Sequence, residues 1–164
     1  MSKSVSLAVA ASLAVAGLAS SVSAATILPN SPTTTVPISF SGTLTLSGAT
    51  TLNCAVSLTG VVNPGGASAS ITGASFAPGD WQCGWLALPQ GLAWTLTPIS
   101  STVVTLSSFG FMDGVHDCLG TVVAQWSNPG RLVFSSTYVP ANAGSPGPCY
   151  VTGTLSSIPT LSIY

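Results

Sequence analysis

The sequence predicts an all-β protein: an antiparallel β-sandwich or barrel-like fold of about nine short strands, held by two disulfides. Runs of alternating polar and apolar residues recur along the chain, and Gly- and Pro-containing turns divide them at intervals of about ten residues. No stretch after residue 25 has the apolar period of a helix. Four cysteines supply the two bridges.

The first 24 residues have the pattern of a signal peptide. Lys3 lies in a short basic region, residues 5–18 are an apolar run rich in Ala, Leu and Val, and the small residues ending at Ala24 form a cleavage motif. The apolar run is shorter than the ~20 residues that a transmembrane helix needs. We therefore predict cleavage after Ala24 and a secreted, extracellular or cell-surface location.

Residues 25–37 contain three prolines and several threonines, a composition that predicts an extended N-terminal arm. This arm is either a flexible terminus or a strand that docks on the sheet edge of a neighbouring molecule. The remainder, residues 38–164, is predicted to be a single β domain, because its length is that of one ordinary domain.

The strands of that domain follow from the alternation. In residues 38–46, the side chains of Ile38, Phe40, Leu44 and Leu46 face one way, and Ser and Thr face the other. Eight further runs of strand-forming residues are bounded by turns: residues 50–62, 67–76, 92–99, 102–109, 118–126, 131–139, 149–155 and 161–164.

Charged residues are almost absent. They make up 3% of the chain, against about 25% in ordinary soluble domains. Loss of Lys3 with the leader leaves one arginine, Arg131, and three aspartates, a side-chain net charge of 1 − 3 = −2. A single arginine cannot form the basic patch that nucleic acid requires. Copies of such a chain repel each other weakly, and no lysine protects its sheet edges, so self-association into a homo-oligomer or filament is expected.

The four cysteines permit three pairings. We favour Cys54–Cys83 and Cys118–Cys149, because the two spacings are similar and each bridge then closes one local unit. The alternative is a metal site built from all four thiolates, but the chain has no C-x-x-C pair, so no metal is predicted.

Three tryptophans, Trp81, Trp85 and Trp94, lie within fourteen residues around Cys83. We expect them to pack over the Cys54–Cys83 bridge as large apolar anchors. The alternative is that they contact a ligand, either a small apolar molecule or a carbohydrate.

Catalytic groups are scarce. The single histidine, His116, lies between Asp113 and Asp117, where Asp-His-Ser chemistry or metal ligation is conceivable. The chain nevertheless has no G-x-S-x-G elbow, no Glu, and no Lys outside the leader. We interpret this stretch as a polar turn before Cys118, and predict neither an enzyme nor a cofactor.

The chain resembles the alkane oxidation activators of the PraA/PraB type, small exported bacterial proteins also linked to biofilm adhesion. Four motifs carry the resemblance: Leu52-Asn-Cys-Ala-Val-Ser-Leu-Thr-Gly-Val-Val, Ala69-Ser-Ile-Thr-Gly-Ala-Ser-Phe, Cys118-Leu-Gly-Thr-Val with a following Gln-Trp, and Cys149-Tyr-Val-Thr-Gly-Thr-Leu with a following Pro-Thr-Leu-Ser-Ile. The resemblance implies a secreted non-enzymatic protein for attachment, matrix building or handling of hydrophobic substrates. Its partners would be copies of itself, hydrophobic surfaces or matrix polysaccharide.

Overall fold

The structure is a computed structural model that describes residues 24–114, 116–145 and 147–164. The predicted signal peptide lies outside these residues except for Ala24. Within them the chain forms eleven strands: β1 Ile27–Leu28, β2 Val36–Ser47, β3 Thr51–Val62, β4 Ala69–Ser75, β5 Ala87–Gln90, β6 Trp94–Pro98, β7 Val103–Asp113, β8 His116–Ser127, β9 Arg131–Val139, β10 Cys149–Ile158 and β11 Ser162–Ile163. No helix in the described part of the chain is long and apolar enough to cross a membrane.

Eight strands close into an antiparallel barrel. Its order is β7-β6-β4-β3-β2-β10-β9-β8, and pairing of β8 with β7 completes the ring. Strand β5 pairs with the last part of β7, beyond the residues that pair with β6. The all-β prediction is therefore confirmed, and of the two architectures that the sequence left open, the chain forms the barrel.

Alternation along the strands fills this barrel with apolar side chains. Leu44 and Leu46 point inward from β2 while the intervening Thr45 points toward solvent, and the same pattern continues around the ring. Four buried rings form a continuous row across the interior, with centroid separations of 6.5, 4.7 and 5.7 Å: Phe76, Trp94, Phe109 and Phe134. The described residues enclose no pocket, and buried apolar side chains fill the interior of the barrel.

The two ends of the barrel differ. At one end lie the β2–β3 and β7–β8 turns, the β9–β10 loop and both disulfides; we call this the disulfide end. At the other, the arm end, β1 and β11 form a two-stranded ribbon. Ile27 and Ile163 are paired in this ribbon and are fully buried, and Asn128 donates a hydrogen bond to the carbonyl of Ile163 at 3.0 Å. The ribbon thus covers the core of the barrel at the arm end.

The predicted arm is bound to its own barrel in this structure. The Thr26 amide donates to the Tyr164 carbonyl at 2.8 Å, and the Gly65 amide donates to the Ser31 carbonyl at 2.8 Å. The barrel strand β2 already begins at Val36, inside the segment that we assigned to the arm. Docking of the arm on a neighbour would therefore require it to leave this site.

Candidate functional site

The loop between β4 and β5 is fastened to the start of β3. The Asn53 amide donates to the Asp80 carboxylate at 2.7 Å, and the Ala55 amide donates to the Pro78 carbonyl at 2.7 Å. The Cys54–Cys83 disulfide adds a covalent link. A Cβ at Gly79 would lie 2.8 Å from the Cys54 Cα and 2.9 Å from the Cys83 Sγ, so the close approach requires glycine.

Two of the predicted site residues project from this loop into solvent. Trp81 is 77% exposed and Trp85 is 57% exposed, and their ring centroids lie 5.4 Å apart. The Trp85 Nε1 donates to the backbone carbonyl of Trp81 at 2.8 Å, which holds the Trp85 indole against the backbone of this loop. Two neighbouring indoles that are exposed to solvent form an apolar surface that is available for contact.

The third predicted residue is elsewhere. Trp94 begins β6, is 0% exposed, and lies in the aromatic row between Phe76 and Phe109, with its Nε1 donating to the Gln90 carbonyl at 2.6 Å. The expectation that the three tryptophans pack over the Cys54–Cys83 bridge as buried anchors is not met, because Trp81 and Trp85 are exposed and Trp94 is a core residue in the aromatic row.

A second exposed aromatic pair lies near the same end and was not predicted from the sequence. Tyr138 of β9 and Tyr150 of β10 are cross-strand partners with centroids 6.0 Å apart, and both are exposed. Tyr150 also pairs with Ser47, the last residue of β2, next to the β2–β3 turn. The outward position of Tyr150 could be read from its buried neighbours, Cys149 and Val151, by alternation.

The Cys118–Cys149 bridge ties β8 to β10 across the β9–β10 loop. Asp117 braces that loop as well, since its carboxylate accepts a hydrogen bond from Asn142 at 2.6 Å and its backbone carbonyl accepts the Asn142 amide at 2.8 Å. The structure therefore contains both bridges of the favoured pairing, Cys54–Cys83 and Cys118–Cys149.

Asp113 and His116 flank the β7–β8 turn and are both buried. The His116 Nδ1 lies 3.4 Å from an Asp113 carboxylate oxygen, and the other Asp113 oxygen accepts the Thr50 amide at 3.1 Å. Among the residues that the structure describes, neither His116 nitrogen makes a hydrogen bond of good geometry. This pair joins two turns of the disulfide end and offers no face to a substrate.

The remaining titratable groups do not combine into a reactive centre. Within residues 24–114, 116–145 and 147–164, no three His, Cys, Asp or Glu side chains are grouped as metal ligands, and all four cysteines are oxidised. The three aspartates lie toward the disulfide end, whereas Arg131 is exposed at the start of β9, at the arm end.

Fold and site together define the class: a small disulfide-bonded β-barrel that is packed with its own side chains and exposes two pairs of aromatic rings. The chain belongs to the alkane oxidation protein activator PraA/PraB-like family, whose model matches residues 1–164. The family resemblance is thereby confirmed, and the family is named for activation of alkane oxidation, not for an enzymatic reaction. The comparison with curated proteins gave no match, and neither did the comparison with solved structures.

Proposed function

We propose that this is an exported, non-enzymatic protein that supports alkane use by contacting hydrophobic material at the cell surface or in the biofilm matrix. Family membership supports the link to alkanes. Two disulfides suit an oxidising compartment outside the cytoplasm. The observation that carries the proposal is the exposed Trp81–Trp85 pair, held by a disulfide-linked loop.

Two contributions to the free energy favour this contact: burial of apolar area and a small loss of conformational entropy in the cross-linked loop. Burying an indole face removes apolar area from water, at about 25 cal/mol for each Å². Because the loop is already fastened to Asn53 and Cys54, little conformational entropy is lost when the rings meet a surface.

The test is depletion of the mature protein from solution by emulsified hexadecane. Trp81→Ser/Trp85→Ser is expected to weaken binding by about tenfold or more, the effect of losing ~1.4 kcal/mol. The matched control is Ile99→Ser/Ile158→Ser, which removes two exposed apolar residues at the arm end. Equal binding of the Trp variant and the wild type would contradict the proposal.

A second candidate ligand is matrix polysaccharide. Indole faces stack on sugar rings as well as on hydrocarbon, and the outward Ser and Thr residues of the barrel supply uncharged hydroxyls. A soluble glycan that blue-shifts the tryptophan emission and competes with hexadecane would favour this alternative.

We also propose that copies of the protein assemble in the matrix, which would suit adhesion or fibre formation. Closure of the barrel removes most free strand edges. One route that stays open is exchange of the arm, in which β1 pairs with β11 of another copy using the same contacts.

A further inference from the structure

The disulfide end carries more exposed aromatic area than the tryptophan loop alone. Trp81 and Trp85 lie on the β4–β5 loop beside the start of β3, while Tyr138 and Tyr150 lie on β9 and β10. The two pairs are on different sides of the barrel, and both are toward the end where β3 and β10 begin.

Charge distinguishes this end from the other one. Asp80 is exposed beside Trp81, and Asp117 lies under the β9–β10 loop, so the disulfide end has negative charge and, within the described residues, no positive charge. The only arginine, Arg131, is exposed at the arm end. Anionic surfaces, including bilayers rich in acidic lipids, are therefore repelled from the disulfide end. Within the described residues, the arm end exposes one aromatic side chain, Tyr164.

Tryptophan and tyrosine are the side chains best suited to an apolar–water boundary, because each combines an apolar ring with a polar atom that stays hydrated. Ring faces on two sides of one barrel end cannot close around a small ligand, and no pocket lies between them in the described part of the chain. Only a surface broad enough to reach both sides of this end could contact the two pairs together.

We infer that the protein binds the surface of liquid hydrocarbon end-on. The disulfide end faces the hydrocarbon, with both the Trp81–Trp85 pair and the Tyr138–Tyr150 pair in contact, and the arm end with Arg131 points to water. This inference rests on the proposed function and extends it by a second contact site and a fixed orientation. In this orientation the arm end stays in water, where other copies can reach it.

Brominated alkane tests the orientation, because bromine quenches an indole that touches it. In a Trp81→Phe/Trp85→Phe background, Tyr138→Trp places a reporter at the second site, and Ile158→Trp places a matched reporter at the arm end. Emulsified 1-bromododecane is expected to quench the Tyr138→Trp protein at least twice as strongly as the Ile158→Trp protein. Equal quenching, or stronger quenching at the arm end, would overturn the inference.

Binding of hexadecane droplets supplies the second measurement. Tyr138→Ser/Tyr150→Ser is expected to reduce droplet affinity at least threefold, with unchanged thermal unfolding. If this variant binds like the wild type while Trp81→Ser/Trp85→Ser does not, the second site is absent and the proposed function stands. If neither variant loses affinity, both ideas fail. Preferential binding to phosphatidylglycerol vesicles would show that the partner is a lipid surface, not liquid hydrocarbon, and would refute the inference.

Discussion

At the scale of single residues, burial separates side chains that look alike in the sequence. Trp81 and Trp94 both lie near Cys83, yet one is in solvent and the other is in the aromatic row of the core. Their substitution should therefore affect different properties of the protein.

The first prediction concerns stability. Trp94→Ala is expected to lower the free energy of unfolding by ~3–5 kcal/mol, because it leaves a cavity between Phe76 and Phe109. Trp81→Ala should change it by no more than about 0.5 kcal/mol. Urea unfolding followed by circular dichroism measures both, and a similar loss in the two variants would contradict the assigned burial.

The second prediction concerns the buried pair Asp113–His116. His116→Ala truncates a buried ring that lies 3.4 Å from the Asp113 carboxylate, and it is expected to cost about 0.5–3 kcal/mol of stability. The folded variant should still bind hexadecane, since His116 is remote from solvent and has no proposed chemical role. Arg131→Gln is the exposed control. Loss of droplet binding in a His116→Ala protein with a normal fold would argue for a functional histidine.

At the scale of elements, irregularities in strands decide which side chains reach solvent. In β9, Leu132 and Phe134 face the core. If the strand alternated regularly from these residues, Tyr138 would face the core as well. Ser136 has a φ of 49°, and the pairing with β10 shifts register between Val151 and Gly153. This bulge reverses the alternation, so that Tyr138 faces outward and Val139 faces the core.

The third prediction compares the two disulfides. Removing either by paired Cys→Ala substitution should destabilise the fold by ~3–4 kcal/mol in the chain-entropy model, since the bridges close segments of similar length, 29 and 31 residues apart in sequence. Only Cys54→Ala/Cys83→Ala should also loosen the tryptophan pair. Fluorescence anisotropy and hexadecane affinity, measured below the unfolding transition, should fall for this variant and not for Cys118→Ala/Cys149→Ala.

The fourth prediction concerns assembly through the arm. Leu28 and Ser162 are partners in the β1–β11 ribbon, so Leu28→Cys/Ser162→Cys allows a disulfide that locks the arm to its own barrel. If copies exchange arms, the oxidised protein should remain monomeric in size-exclusion chromatography at concentrations where the reduced protein assembles.

Deletion of the arm is a less discriminating experiment. The fully buried Ile27 would be lost, and truncation of such a side chain to Ala alone typically costs ~2–5 kcal/mol. Identical assembly of the oxidised and reduced Leu28→Cys/Ser162→Cys protein would exclude arm exchange without this complication.

At the scale of the whole molecule, the interior of the barrel is filled with apolar side chains and its two ends differ. The fifth prediction is that dissolved alkane below its solubility limit gives no saturable binding in calorimetry, because the described interior has no pocket. Trp94→Ala is the positive control, since removal of the indole leaves an apolar cavity that can accept an apolar ligand. Saturable binding by the wild-type protein would reveal a site inside the barrel.

The sequence by itself determined the all-β class and the approximate position of most barrel strands, and it favoured the cysteine pairing that the structure contains. These features are local: alternation has a period of two residues, turns are set by Gly and Pro, and each bridge closes a neighbouring segment. Family membership was also recognisable from short motifs around Cys54, Cys118 and Cys149.

Only the tertiary structure decided between sandwich and barrel, because the ring requires the ladder between β2 and β10, whose partners, such as Tyr150 and Ser47, are distant in sequence and are specified by no local pattern. It also separated Trp94 from Trp81 and Trp85, and placed Ile27 in the chain's own core. Tyr138 reached solvent through a bulge, and Tyr150 approached the tryptophan end through pairing of β10 with β2. These outcomes depend on contacts between residues distant in sequence, and the free energy of such contacts is fixed by register and packing, not by residue type alone.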